Sequence, residues 1–305
     1  MRQMPKEIVR SLAFQLATGF WALLFFLAGK VLRPKPARLR VTGRDHVLVI
    51  APHPDDETLG CGGTIALHAQ GNDKVCVLVV TDGGGSRAGG LTREEMVHRR
   101  WAEVTQAMAL LTPSAQVVQF ALLEESWSTN DLSESLGKLI EEFDPTLIYA
   151  PSCVDYHPDH IRVAEVLVDA LTKTRLASCR AIRVYEVQVP LTPILANLAS
   201  DITATAMRKR LALSCYQTQA ESLGIGQGVQ GWPYRHAIYV RLLYSVRGHS
   251  ELFWEVTPEG YCEVIQRRSG GRFRFRALRR RPFVDGFAWV VGWRERVRLR
   301  HTVES

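Results

Sequence analysis

Two short stretches of this chain concentrate groups that could do chemistry: PHPDDE at 52–57 and HPDH at 157–160. Two histidines and a carboxylate around one divalent metal, with a position left for water, make a hydrolytic centre. The same donor types form the facial triad of ferrous sites, so Zn2+ and Fe2+ both remain open on ligand type. A bound divalent ion brings the pKa of its water to about 7. A second carboxylate then accepts the proton, and a further histidine protonates the leaving group or steadies the oxyanion. His53, Asp55, Asp56, His157 and His160 supply ligands, base and acid together. Plainer readings exist for each motif alone. An acidic run at a helix start offsets the macrodipole, and HPDH could be a turn with an N-capping aspartate. Their joint occurrence after two strands favours the catalytic reading.

The elements that must position these groups follow from the patterning. HVLVIA, KVCVLVV, AQVVQFAL, TLIYAPS and AIRVYEVQV are short apolar, β-branched runs, the signature of strands buried on both faces. Helical stretches separate them. One opens at Thr92 and Glu95, spaced as a capping box. Another runs LSESLGKLIEEF and stops before Asp144-Pro145. Strands alternating with helices predict an α/β fold with a mostly parallel sheet covered on both faces. PHPDDE, TDGGG and HPDH each follow a strand, where open α/β sheets build their sites.

With those residues in view, the chain resembles the zinc-dependent N-deacetylases that include the N-acetylglucosaminyl-phosphatidylinositol de-N-acetylases and the LmbE-like bacterial enzymes. The resemblance runs from about residue 45 to 253 and takes in TDGG, Arg100, Glu103 and Ala107 of an R-x-x-E-x-x-x-A helix, SDIT, Lys209, YQTQ and ELF. It implies a Rossmann-like three-layer α/β sandwich with a mostly parallel sheet, that His53, Asp56 and His160 bind zinc, and that Asp55 is the general base. It implies that His157 stabilises the oxyanion and aids the leaving amine, with Asp159 tuning it, and that Arg100 contacts the sugar. Where members often carry a sugar-contacting aspartate after the third strand, this chain reads ALLEESW, so Glu124 or Glu125 stands in its place. Tyr216 stands where members often have histidine. His236, in GWPYRH, is a further candidate for the site wall, whereas His46, His68, His98, His249 and His301 read as surface or core. The glycines of TDGGGSRAGG would suit either a phosphate cradle or a substrate loop.

The remainder bears on location. Residues 11–29 carry no charge and as a helix would span about 28 Å at about 1.5 Å per residue. Basic residues follow at Lys30, Arg33, Lys35, Arg38 and Arg40. We expect a membrane anchor and basic linker over 1–40, a deacetylase domain over 41–250 and an arginine-rich extension over 251–305. The positive-inside rule then puts the catalytic domain on the cytosolic face of the inner membrane, single-pass or monotopic. Six scattered cysteines without a CxxC pair read as reduced core thiols. The net charge of +7 favours anionic partners. No RNA or DNA module is visible, so nucleic acid is not an expected partner. In the extension, FAWVVGW between arginine clusters fits a membrane interface or one of a pair of strands with GRFRFRAL. The expected activity is removal of an N-acetyl group from a GlcNAc-containing glycolipid or other glycoconjugate. The alternatives are an amidase of a soluble pseudo-disaccharide thiol conjugate, and a non-catalytic membrane-anchored binding protein.

Overall fold

A computed structural model of the chain describes residues 6–86, 90–174, 178–219, 239–246, 248–268, 289–290, 292–297 and 299. His236 and GRFRFRAL lie outside them. Eight strands form one sheet: β1 (Ala37–Arg38), β2 (His46–Ala51), β3 (Lys74–Thr81), β4 (Gln116–Leu122), β5 (Leu147–Pro151), β6 (Ala181–Tyr185), β7 (Leu198–Asp201) and β8 (Ser250–Val256). Their order is β1-β7-β8-β6-β5-β2-β3-β4. β8 runs antiparallel to β6 and β7, and the other ladders are parallel. The expected mostly parallel α/β sandwich is therefore present, and the sheet draws in residues on both sides of the central unit.

Alternation along the strands sends side chains to two cores. Leu48 and Ile50 of β2 face one, packed by α4 (Thr129–Phe143), α5 (Pro158–Lys173) and α7 (Pro258–Arg268). Val47, Val49 and Ala51 face the other, under α2 (Asp56–Gln70), α3 (Arg93–Leu111) and α6 (Ala206–Cys215). α3 opens on the predicted capping box, with Thr92 and Glu95 each bonded to the other's backbone. From β2 the chain winds through β3 to β4 on one side, then crosses to β5 and β6 on the other. The direction reverses between β2 and β5, and a crevice forms beyond the carboxyl ends of such a pair. PHPDDE leaves β2 and HPDH follows β5, so the two motifs flank that crevice.

The expected membrane span finds no support in the structure. Among the described residues, no helix is long and apolar enough to cross a membrane. α1 (Lys6–Leu32) instead lays one face on the body. Phe25 is buried with Tyr239, Val240 and Leu243, and its ring meets Trp289 edge-on at 5.6 Å. Gly29 permits the contact: a Cβ there would sit 2.4 Å from the Leu242 carbonyl oxygen. The other face leaves Leu16, Phe20, Leu23, Phe26, Leu27 and Val31 exposed. A correction concerns FAWVVGW. Its described residues 289, 290, 292 and 293 are helical, not extended.

At the amino ends of the strands, away from the crevice, Asp45 accepts hydrogen bonds from Thr42, Thr146 and Arg180. Burial raises its carboxyl, but these bonds outweigh burial and hold it well below the usual range. A carboxyl depressed in the folded state contributes stability that is full above its unfolded value near 3.9 and is lost as pH falls below it. Asp45→Asn should therefore lower Tm by a few degrees at pH 7, with the deficit narrowing below about pH 4. A thermal melt series from pH 7 to pH 3 checks this, and a deficit that stays constant counts against it.

Candidate active site

β2 ends at Ala51, and the chain turns sharply through Pro52–Asp55 into α2. Asp55 adopts φ 132°, a strained value for a residue with a side chain. The buried Glu57 carboxylate accepts the Asp55 N–H at 3.2 Å and is itself held by the hydroxyls of Thr58 and Tyr216. Burial raises the Glu57 carboxyl. Tyr216 thus occupies its departure from the resemblance as a support for the motif turn. Lys209, Glu251 and Thr64 form a second buried support under α2, in which Glu251 also accepts the Gly63 N–H. A Cβ on Gly63 would sit 2.6 Å from Ile202. Glu103 holds Thr218 of YQTQ through its N–H and hydroxyl. The later motif residues therefore act as scaffold for α2 and α3.

The two motifs meet in one triangle of donor atoms. His53 Nδ1, Asp56 Oδ2 and His160 Nε2 are mutually 3.1 Å apart. Donors at about 2.1 Å from one ion are separated by about 3.4 Å in tetrahedral and about 3.0 Å in octahedral geometry, so the triangle fits a divalent metal. Each histidine carries a buried carboxylate behind its other nitrogen. Asp159 Oδ2 lies 3.3 Å from His53 Nε2, and Asp155 Oδ1 lies 3.2 Å from His160 Nδ1. Such outer carboxylates orient metal-binding histidines and raise their basicity. The charges agree. Burial disfavours protonated rings, yet the carboxylates around them push His53 up to about 9 and raise His160 well above its ordinary value. Burial is likewise outweighed at Asp56, which the two imidazoles hold far down. The cluster is built to hold positive charge at the centre of the triangle. One ligand atom from each of His53, His157 and His160 also lies within 4.8 Å of the others, a wider set.

His157 caps α5, its Nδ1 accepting the Asp159 N–H at 3.2 Å. That bond leaves the proton on Nε2, which points to Glu124 at 3.9 Å and Glu125 at 3.8 Å. Burial, reinforced by His53 and His160, brings His157 down to about 3, so the ring is a neutral donor. Asp159 acts on His157 through its backbone N–H and, against the burial that dominates, through its negative charge, which raises the ring. Its carboxylate serves His53 and accepts the Glu125 N–H and the Trp127 indole N–H. Asp55 lies 3.2 Å from Arg100 Nη2. Burial, against the pull of Arg100, raises the Asp55 carboxyl to about 8. Arg100 is itself buried and also bonds the carbonyls of Pro54 and Gly83, so it clamps the turn that carries Asp55. Glu124 Oε1 lies 3.8 Å from His53 Nε2, at the wall of the site. In TDGGG the Gly84 N–H is taken by the Asp82 carboxylate and the Gly85 N–H by that of Glu124, which does not suit a phosphate cradle. All six cysteines are free. Asp155 and Trp127 were not singled out from the sequence. The signal for Asp155 was a carboxylate two residues before HPDH.

Residues 48–171 match the family model described as GlcNAc-PI de-N-acetylase. A probable N-acetyl-alpha-D-glucosaminyl L-malate deacetylase 2 of Bacillus anthracis is 31% identical over 134 residues, covering 41% of this chain and 59% of that protein. A 1D-myo-inositol 2-acetamido-2-deoxy-alpha-D-glucopyranoside deacetylase 1 of Saccharopolyspora erythraea is 29% identical over 176 residues, 44% of this chain and 56% of that one. The chain thus spans less than two thirds of the length of either relative. Among solved structures, N,N'-diacetylchitobiose deacetylase from Pyrococcus horikoshii aligns with a TM-score of 0.60 at 21% identity, covering 70% of this chain and 85% of that one, which shows a shared fold. Motifs, fold and family model coincide on the same crevice, and the segment 48–171 is similar to the PIG-L, or LmbE-like, de-N-acetylases.

Proposed function

We propose that the chain hydrolyses the acetamide of an N-acetylglucosamine conjugate, with His53, Asp56 and His160 as the zinc ligands. The observation that carries this is the 3.1 Å triangle of their donor atoms, with Asp55 and His157 beside it. Ferrous iron fits the same donors. Zinc bound there supplies an activated water and polarises the acetyl oxygen. Asp55, aimed by the strained turn and Arg100, accepts the proton released as water adds to the acetyl carbon. His157 donates a hydrogen bond from Nε2 to the oxygen that gains charge, and the proton taken up by Asp55 passes to the sugar nitrogen as the C–N bond breaks. Acetate and the free amine leave. Asp159 and Asp155 orient the two ligand histidines, and Glu124 and Glu125 face the sugar hydroxyls. The complete set of ligands, base and acid speaks against a non-catalytic binding protein.

Two conjugate classes divide the finer reading. The exposed apolar face of α1, next to the basic residues 30–40, supports a lipid-linked substrate met at the cytosolic membrane surface. The names of the relatives support a malate or inositol conjugate, free of lipid. We favour the lipid-linked class, because a soluble substrate gives that apolar face no work. Acetate release by the purified full chain with zinc tests it. The panel is GlcNAc, GlcNAc-malate, GlcNAc-inositol, GlcNAc-phosphatidylinositol and GlcNAc-diphosphate-polyprenol. Turnover of a lipid-linked member alone is expected. Turnover of the soluble conjugates alone would assign the chain to the second class, and no release from any would sink the deacetylase reading for these sugars.

A further inference from the structure

Arg296 lies far outside the residues that match the family model, in a helical stretch at 292–297, yet its side chain is fully buried. Burying a guanidinium is costly unless its donors are satisfied and its charge is balanced. Here the Nη atoms donate to the carbonyls of Pro190 and, at 3.1 Å, Val189; burial lowers the guanidinium, and the buried Glu186 carboxylate offsets part of that cost. Glu186 in turn accepts the Leu191 N–H. The segment 186–191, which leaves β6, is thereby pinned from both sides. Its middle carries the next contact: the Gln188 N–H donates to Asp155 Oδ2 at 3.1 Å. Asp155 Oδ1 accepts the His157 N–H at 3.0 Å and faces His160 Nδ1 at 3.2 Å. The fit around Arg296 is close, because a Cβ on Gly292 would sit 2.7 Å from its Nη1 and 2.8 Å from Val189.

We propose that Arg296 is a positioning residue for the metal centre, fixing the carboxylate of Asp155, and through it His160, by way of the 186–191 segment. The carboxy-terminal stretch is then a working part of the catalytic unit. This rests on the zinc-site reading above. Outer-shell partners of metal-binding histidines each contribute about 10–100-fold to affinity. Arg296 acts one contact further out, so its loss belongs near the lower end.

The test is zinc affinity of the full chain, measured by competition with a fluorescent chelator, alongside Tm. Arg296→Met should bind zinc about tenfold more weakly than the wild type. Asp155→Asn should lose about 10–100-fold. The double variant should bind no more weakly than Asp155→Asn alone, because both changes break one path. Arg296→Lys keeps the charge but cannot fork across two carbonyls, so it should lose affinity too. It carries the test, with Gly292→Ala, if Arg296→Met does not fold. Folded variants with wild-type affinity and only a lower Tm would overturn the proposal, as would fully additive losses in the double variant. A wild-type chain that binds no zinc would instead overturn the metal-site reading and this inference with it.

Discussion

Asp55→Ala is expected to lower the rate of acetate release by about a hundred- to ten-thousand-fold, the usual range for a general base. Zinc affinity should stay within a few-fold of the wild type. The argument is geometric. Asp55 is not one of the three mutually close donors. Its side chain makes no capping bond to α2, although it occupies the N-cap position. What it has is a buried carboxylate on a strained backbone, 3.2 Å from Arg100. A carboxylate at a helix start with no capping bond and a backbone held off its preferred angles is arranged for something other than stability. Asp55→Asn is the sharper variant. It keeps the volume and an oxygen for Arg100 while removing the proton acceptor, so its rate should fall as far as that of Asp55→Ala. Near-normal activity in either variant would remove Asp55 from the chemistry. A parallel loss of zinc would make it a support of the Asp56 turn.

Much of this was legible in the sequence, and the reason is local. β2 to β6 are apolar runs bounded by turn residues, and their pattern needs no partner to be read. The α3 capping box is four residues long. The site was legible because its donors sit in two contiguous motifs placed at strand exits. What failed depends on residues far apart in the chain. β7 is four residues, LASD, too short for any periodic signal, and its ladder with β8 pairs Leu198 with Phe253. FAWVVGW has the composition of a strand, but Trp289 packs on Phe25 and Gly292 presses on Val189, and tertiary packing overrides such preferences. Hydropathy marked residues 11–29 as a span because it averages over a helix. It cannot see that one face of α1 is covered by Tyr239, Val240 and Leu243. The places of the Asp159 carboxylate behind His53 and of Asp155 behind His160 were out of reach for the same reason: which ring a carboxylate stands behind is a fact of the crevice between β2 and β5.

Asp56→Ala should abolish tight zinc binding, with a loss beyond the 10–100-fold that outer-shell changes cost, and activity should fall to background at stoichiometric zinc. Asp56 is the hub of the cluster. One oxygen accepts the His53 N–H at 2.9 Å and stands 3.1 Å from a ring nitrogen of both His53 and His160. Its removal leaves two imidazoles facing each other at 3.1 Å with no anion between them. Asp56→Asn separates the two duties. It still accepts the backbone N–H, so the turn and Tm should be preserved better than in the alanine variant. It lacks the charge, so zinc should still bind far more weakly than in the wild type. The chelator competition that measures this also decides between two ligand sets. His53 and His160 belong to both, whereas Asp56 and His157 do not. If Asp56→Ala binds zinc nearly as well as the wild type while His157→Ala does not, the three histidines hold the metal and Asp56 only shapes the turn. The opposite pattern is expected, because His157 Nδ1 is already committed to the Asp159 N–H and its remaining nitrogen carries the proton it has to donate. His157→Ala should then keep its zinc and lose its rate.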